Sequence, residues 1–336
     1  MASERNPRPR HLVRRRALLA GGLALVPLAA FGGYEAWSVT NGLSQLHRTL
    51  DLPDASPAPQ QGKDNNGDQP ADPDQGRPVN ILLLGSDSRE KDDAGDGRSD
   101  TIMMLHLSAD RKSAYLISFP RDMWVSIPGH GDAKINAAYA YGGTKLLAST
   151  INQLTGITID HAAVVDFSGF DQLTDAVGGV TITNTYAFKT HGYSYPKGRI
   201  TLSGKRALWF VRERDLLPNG DFGRAANQRK VVKALAAKLA TPSTLADPTK
   251  LSQVVASLAK YVTVDKGLTD QTILGLARSM KAAASSLVTL QAPVSGTGMI
   301  DGQSVDIVDK TGMKQLAQAL QRDTMAKYVS DHKIDH

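Results

Sequence analysis

Short apolar runs place the strongest limit on the fold of this chain. Most of them lack a polar–apolar alternation, and each is bounded by turn residues, which predicts strands covered on both faces of a sheet. The main runs lie at residues 79–85, 101–107, 114–119 and 162–167, and shorter ones follow at 180–183 and 304–308.

Helical patterns separate and follow these strands, and they lie at residues 137–154, 168–177, 224–240, 251–261, 270–284 and 313–322. This order predicts an α/β fold: a single layered α-β-α domain with a central mixed sheet. The 336 residues are 41% hydrophobic and 21% charged, so a large core can form. That balance excludes a wholly disordered chain and a fibrous repeat.

The amino-terminal segment predicts a membrane anchor. Residues 1–16 hold six arginines and one glutamate, whereas the rest of the chain has a net charge of only +1. An uncharged apolar run follows at residues 17–34, and with its flanks it is long enough to cross a hydrocarbon core of about 30 Å. The positive-inside rule predicts a cytoplasmic tail at 1–16, a transmembrane helix at 17–39 and an extracytoplasmic body. The expected localisation is therefore the cell membrane, with a single pass; a cleaved signal peptide is the alternative.

Residues 40–78 are interpreted as an extracytoplasmic stalk and linker. Residues 51–78 contain six prolines and six aspartates, and Leu52 is their only large apolar residue. Such a composition predicts a disordered linker. The folded domain is therefore expected to begin at Val79 and to end near residue 325, with core motifs at 79–240 and a carboxy-terminal part at 245–325.

Several common kinds of site are excluded or disfavoured. The chain has no cysteine, which excludes thiolate catalysis and cysteine-bound metals. It has neither a G-x-S-x-G turn nor a P-loop, and its eight histidines form no H-E-x-x-H motif. Because the body is nearly neutral, no nucleic-acid partner is expected.

Arginine and aspartate residues stand where the predicted strands end. Asp87 follows the first strand, Arg98 and Asp100 lead into the second, and Arg121 and Asp122 follow the third. In open α/β sheets, the loops at strand ends are where ligands bind. Any single Asp–Arg pair is usually a solvated ion pair that contributes little.

A second charged group lies later in the chain. Arg212 and Arg214 precede a predicted helix that Asp221 can cap, and Arg224 and Gln228 lie one turn apart on one face of that helix. A helix amino terminus with an added arginine suits a phosphate group. The pattern does not show that this group meets the strand ends.

These residues belong to segments that resemble the LytR–CpsA–Psr (LCP) family of cell-wall glycopolymer transferases. The segments occur in the order and spacing of that family, and they are NILLLGSDSRE (80–90), GRSDTIMMLHL (97–107), ISFPRDMWVSIPG (117–129), KINAAYAYGG (134–143), VDFSGFDQLTDAVGGV (165–180), VRERD…DFGRAANQR (211–229) and DGQSV (301–305).

The resemblance implies a phosphotransferase that moves a glycopolymer from a polyprenyl diphosphate carrier to a peptidoglycan hydroxyl, with polyprenyl phosphate released. It implies that Asp87 and Asp100 bind Mg²⁺, for which Mn²⁺ could substitute, and that Arg98, Arg121 and Asp100 are catalytic. The residues implied to grip the diphosphate are Arg98, Arg121, Arg212, Arg214, Arg224 and Gln228. Oxygen ligands suit Mg²⁺, and arginine forks suit phosphate.

Some questions stay open at this point. The family often has arginine where Asn227 stands, and either Asp100 or Asp122 could accept the proton of the attacking hydroxyl. The alternative functions are a polyprenyl-diphosphate glycan pyrophosphatase, a membrane-anchored regulator and a glycan-binding module without catalysis. The transferred polymer is not specified by the sequence, and teichoic and arabinogalactan-like polymers are both compatible with it.

Overall fold

The computed structural model describes residues 43–44, 46–53, 76–86, 99–239, 259, 261–279 and 283–334. Their strands are β1 (His47–Leu50), β2 (Val79–Ser86), β3 (Ser99–Leu107), β4 (Ala114–Phe119), β5 (Trp124–Ile127), β6 (Gly131–Lys134), β7 (His161–Asp166), β8 (Val180–Asn184), β9 (Phe188–Thr190), β10 (Tyr193–Tyr195), β11 (Gly198–Leu202), β12 (Val262–Asp265), β13 (Leu287–Gln291), β14 (Val294–Ile300) and β15 (Gln303–Val308).

The helices alternate with these strands and follow them. They are α1 (Ile135–Thr155), α2 (Phe167–Ala176), α3 (Gly204–Arg212), α4 (Gly220–Leu239), α5 (Asp270–Ser279), α6 (Lys310–Gln321) and α7 (Met325–Asp331), and a short 3₁₀ helix spans Ala283–Ser286. Helix α1 is kinked at Gly142 and Gly143, and Gly143 has φ of 59°, which favours a residue without a side chain.

Seven strands form one central sheet in the order β1-β12-β7-β2-β3-β4-β13. Strand β2 pairs in parallel with β7 and antiparallel with β3, and β4 pairs antiparallel with β3 and in parallel with β13. The predicted α/β class with a central mixed sheet is therefore confirmed. The register places the carboxyl ends of β2, β4 and β7 and the start of β3 at one end of the sheet.

Alternate residues of the strands enter two hydrophobic cores, one on each face of the sheet. Ile81 and Met103 lie in the core that α2, α3, α4 and α5 cover. Leu82 and Met104 lie in the core that α1, α6 and α7 cover. This two-sided burial explains why the strand sequences show little polar–apolar alternation.

The fold begins before residue 79. Strand β1 forms the sheet edge by pairing in parallel with β12, Leu43 is buried in one core, and Leu52 packs against the other. The expectation that the folded part starts at Val79 was wrong in this respect, because a four-residue strand with only two half-buried side chains leaves little hydrophobic pattern. Likewise, α7 carries the fold beyond residue 325, with Tyr328 and Val329 in the core.

Most predicted helices and strands occur within a few residues of their expected bounds. The pattern at 270–284 forms α5, which ends at Ser279, followed by the 3₁₀ helix. The predicted helix at 251–261 lies almost entirely outside the described residues, as do the predicted transmembrane helix at 17–39 and most of the linker. No helix in the described part of the chain is long and apolar enough to cross a bilayer.

Candidate active site

A narrow cleft, partly open to solvent, lies at the end of the sheet where β4 ends and β3 begins. Helix α4 covers it from one side. Its lining residues are Thr101, Ile102, Met103, Ser118, Phe119, Pro120, Arg121, Asp221, Arg224, Ala225 and Gln228. Two segments that are far apart in the sequence therefore meet in one cleft.

Asp221 is shared by three of the predicted arginines. Its Oδ2 lies 3.3 Å from Nε of Arg121, and its Oδ1 lies 3.3 Å from Nη2 of Arg224 and 3.9 Å from Nη1 of Arg214. Asp221 stands in the first turn of α4, where the helix dipole favours a negative charge. One carboxylate thus holds arginines from three parts of the chain within reach of the same space.

Asp122 adds a second carboxylate beside the first. Its Oδ2 lies 3.4 Å from Nε of Arg121, and its Oδ1 lies 2.9 Å from Nζ of Lys134. Burial alone would raise the pKa of Asp122, but the hydrogen bond from Lys134 and the charges of Arg121 and Lys134 lower it. Asp122 is therefore ionised at neutral pH and is a weak proton acceptor.

A third acidic residue approaches from the carboxy-terminal hairpin of β14 and β15. The backbone N–H of Asp306 donates to the backbone oxygen of Asp122 at 2.8 Å, and Asp306 forms an isolated parallel bridge with Met123. Burial and the neighbouring charges of Asp122 and Asp221 raise the pKa of Asp306 to about 6. Asp122, Asp221 and Asp306 are called the cleft acids below.

Two side chains of α4 hold the helix against its neighbours. Gln228 donates from Nε2 to the backbone oxygen of Val211 at 3.2 Å, which ties α4 to the end of α3 beside Arg212. Arg229 donates from Nη1 to Oγ of Ser118, whose residue lines the cleft. Burial lowers the pKa of Arg229 to about 10, so this side chain remains charged at neutral pH.

The remaining predicted residues are placed as follows. Arg212, at the end of α3, lies outside the cleft lining, with its guanidinium carbon 5.9 Å from the centre of the Trp209 ring. Asp87 and Arg98 lie outside the described residues, and Asp100 is described only through its backbone in β3. Asn227, where the family often has arginine, is buried, and its Nδ2 finds no acceptor among the described residues.

The proposed metal ligands flank two paired residues. Ser86 at the end of β2 pairs with Ser99 of β3; Asp87 is the next residue after Ser86, and Asp100 is the next after Ser99. Asp87 and Asp100 thus each follow one residue of this pair, and their carboxylate oxygens are the kind of ligand that Mg²⁺ prefers. Within the described residues, no group of three or more acidic or histidine side chains is arranged to hold a metal ion.

Sequence reasoning missed part of this arrangement. It treated Asp221 as a helix cap and did not select Lys134, Arg229 or Asp306. For Asp221, the D-x-x-R spacing to Arg224 was a sequence signal that this residue could pair with an arginine of the site. No local signal marks Lys134 or Asp306, because their relation to the cleft depends on long-range packing.

The fold and the cleft define an α/β protein that gathers arginines and acidic partners at the ends of its central strands, a chemistry suited to phosphate-containing anions. The chain belongs to the LytR–CpsA–Psr family, because the LytR_cpsA_psr family model matches residues 52–322.

Individual relatives agree with this membership. The chain is 34% identical over 294 residues to the polyisoprenyl-teichoic acid–peptidoglycan teichoic acid transferase TagU of Bacillus mycoides, with 86% of this chain and 91% of that protein covered. It superposes on B. subtilis TagV with a TM-score of 0.63 at 25% identity, over 74% of this chain and 98% of that one. An Enterococcus faecalis protein described as a transcriptional regulator gives a TM-score of 0.63 at 28% identity, over 74% and 88%.

Proposed function

We propose that this protein transfers a glycopolymer from a polyprenyl diphosphate carrier to peptidoglycan. An oxygen of a peptidoglycan sugar hydroxyl attacks the glycan-side phosphorus, the bond from that phosphorus to the bridging oxygen breaks, and polyprenyl phosphate leaves. The product is a phosphodiester between the two polymers, and the hydroxyl proton passes to a base or to solvent. The teichoic acid transferase activity named for the TagU relative supports this class of reaction.

The observation that carries the proposal is the convergence of Arg121, Arg224 and Gln228 on one cleft, with Arg214 joined to them through Asp221. Phosphoryl transfer needs positioning and charge stabilisation more than covalent help from the protein. Arginine provides both, because its planar fork can hold two phosphate oxygens and stays protonated. A polyprenyl-linked diphosphate supplies the matching negative charge.

Asp87 and Asp100 are the residues that would hold Mg²⁺. When bound, this ion would supply positive charge to the diphosphate oxygens and so complement the arginines. The contribution of the chain itself is to fix Arg121 and Arg224 through Asp221, which limits the reorganisation needed as charge develops on the leaving phosphate.

Of the two candidates for the proton acceptor, Asp122 is disfavoured by its surroundings. Asp122 is engaged by Lys134 and Arg121, and its pKa is lowered, so it has little tendency to take a proton at neutral pH. Asp100 precedes Thr101, a residue of the cleft lining, in the sequence. A carboxylate that binds Mg²⁺ is also a poor base, so the hydroxyl proton can equally pass to solvent.

The location proposed for this activity is the outer face of the cell membrane. The arginine-rich residues 1–16 and the transmembrane helix predicted at 17–39 would anchor the chain with a single pass. An anchor of this kind keeps the domain near a donor whose lipid tail is in the same membrane. The acceptor, peptidoglycan, then lies on the side that the domain faces.

The test is an end-point assay with the full chain in detergent. It combines a synthetic polyprenyl-diphosphate saccharide, Mg²⁺ and uncross-linked peptidoglycan, with the parent and an Asp100→Ala variant side by side. We expect peptidoglycan-dependent release of polyprenyl phosphate and covalent attachment of the saccharide, both lost in the variant. Release that ignores peptidoglycan would indicate a pyrophosphatase, and binding without release would indicate a binding module.

A further inference from the structure

Asp306 is a buried acid whose carboxylate has no direct partner in the described residues. It is 5% exposed, and its backbone is fixed by the hydrogen bond to Asp122 and the bridge to Met123. Its side chain makes no hydrogen bond and no ion pair with any residue in the described part of the chain. A buried carboxylate in this position is costly to ionise.

Four charged groups face Asp306 from the elements packed around it. Asp122, before β5, and Asp221, on α4, are acidic and oppose its ionisation, whereas Lys134, at the end of β6, and Arg121 favour it. Burial and like charge both disfavour the ionised form. The resulting pKa of about 6 lies near physiological pH, so the cleft can gain or lose a negative charge under ordinary conditions.

We propose that Asp306 is a positioning residue that sets, through Asp122 and Asp221, how strongly the arginines of the cleft hold the diphosphate of the donor. When Asp306 is neutral, two of the three cleft acids, Asp122 and Asp221, offset the charge of the arginines. When Asp306 is ionised, a third negative charge opposes the diphosphate and competes for Arg121. This inference rests on the proposed function, because it concerns the donor of that reaction.

The direction of the pH effect follows from the sign of the charge. Below the pKa of Asp306 the cleft is more positive, so the donor binds tightly; above it, binding weakens by about tenfold for one added charge in a partly buried site. The apparent KM for the donor should rise accordingly as the pH increases. The kcat should change little, because Asp306 acts on Arg121 through its neighbours.

The experiment measures donor binding and turnover from about pH 5 to about pH 8 with the full chain in detergent. The probe is a short-chain polyprenyl-diphosphate saccharide with Mg²⁺, followed by calorimetry without peptidoglycan and by the transfer assay with it. Both phosphorus atoms of this probe are esterified, so its own charge stays constant over the range. The variants are Asp306→Asn, which cannot ionise, and Asp306→Glu, which can.

Asp301→Asn is the matched control. Asp301 is exposed at the turn between β14 and β15 and has φ of 49°, a conformation that asparagine tolerates. The Asp301→Asn substitution removes one carboxylate from the same β14–β15 hairpin, at its turn and away from the cleft acids. This control should follow the parent at every pH, Asp306→Asn should keep the tight low-pH affinity throughout, and Asp306→Glu should retain a pH dependence.

Folding is tested separately by urea unfolding across the same pH range. When the folded-state pKa of a carboxyl is raised above its unfolded-state value, the free energy of unfolding falls as the pH rises between the two values, here from about 4 to about 6. The parent should show this loss and Asp306→Asn should not, so the variant is expected to be at least as stable as the parent at neutral pH.

Each outcome decides the matter. If Asp306→Asn shows the same pH dependence of donor binding as the parent, or if its kcat falls tenfold with an unchanged KM, the inference is overturned; the second result would make Asp306 a proton acceptor. If donor binding behaves as expected but no saccharide reaches peptidoglycan, the inference stands and the proposed function fails. If the parent binds no donor at any pH, both fail.

Discussion

At the end of the sheet where β2 and β7 begin, three acids, Asp160, Asp265 and Asp323, each accept a hydrogen bond from a backbone N–H group. The donors are Asn80, Ala162 and Ala109, at 2.7, 2.8 and 3.0 Å respectively. At the opposite end, the carboxylate of none of the cleft acids accepts a hydrogen bond from a backbone N–H group of the described residues. These three residues at the first end are called the basal acids below.

The two ends also differ in the basic side chains that face the acids. Within the described residues, each basal acid pairs with one basic side chain: Asp160 faces Arg77 at 2.6 Å, Asp265 faces His161 and Asp323 faces His106. In the cleft, Asp221 alone is shared by three arginines. Fixed backbone donors satisfy a carboxylate within the fold, whereas three arginines that share one carboxylate carry more positive charge than that carboxylate neutralises. The basal acids therefore stabilise the fold, whereas the cleft acids leave a net positive charge that the proposed function assigns to a phosphate-containing anion.

The largest effect should come from Arg224→Ala. Arg224 is buried, lines the cleft and pairs with Asp221. Its removal should lower kcat/KM for glycopolymer transfer by about 100-fold or more, because a preorganised positive charge is lost at the developing phosphate charge. Release of polyprenyl phosphate measures the effect. Arg199→Ala, an exposed arginine on β11, is the control and should retain activity; equal activity in both variants would remove Arg224 from the site.

The second-largest effect should come from Asp265→Ala at the basal end, and it should change the stability of the fold but not the activity. Asp265→Ala leaves the backbone N–H groups of Ala162 and Gly267 without their acceptor. Each unsatisfied buried donor costs about 1–3 kcal/mol, so the free energy of unfolding should fall by about 2–4 kcal/mol in urea titration. The kcat/KM of the folded fraction should stay within about twofold of the parent.

The exposed Asp51, which pairs with Lys266 near the same sheet edge, provides the comparison for Asp265. Asp51→Ala should leave the unfolding midpoint nearly unchanged, because exposed ion pairs contribute little. A large loss of turnover in Asp265→Ala at full folding would show that the basal end also serves the reaction and would break the contrast between the two ends.

The smallest effect is the pH-dependent contribution of Asp323 to the free energy of unfolding. Burial would raise the pKa of Asp323, but the neighbouring His106 ring and the hydrogen bond from the backbone N–H of Ala109 lower it overall. Its stabilising contribution is therefore present above the unfolded-state pKa of about 4 and is lost as the pH falls below that value. Asp323→Asn should cost roughly 1 kcal/mol near neutral pH, and the difference from the parent should shrink below about pH 4.

Urea midpoints measured at several pH values check this prediction. Asp331→Asn, which alters an exposed pair with Lys327 on α7, should show no such pH dependence beyond that of the parent. A constant difference between Asp323→Asn and the parent down to low pH would mean that the charge of Asp323 does not matter at the basal end.

The central strands could be predicted because strands that are buried on both faces have apolar residues at consecutive positions. The same reasoning missed β1, β12 and β13, which are four or five residues long. Strand β1 is half exposed, and its place at the sheet edge depends on pairing with a strand from the other end of the chain. Short strands of this kind are specified by their partners more than by their own residues.

The sequence by itself determined the α/β class, the main strands and helices, and the arginine-rich motifs that mark the family. These features are local: burial sets the strand pattern, and phosphate chemistry limits which residues can serve. Only the tertiary structure decided that Arg121, Arg214 and Arg224 share Asp221, and that Asp306 stands beside Asp122. Contacts between residues far apart in the chain depend on how the elements pack, and the pKa of a buried acid depends on exactly those neighbours.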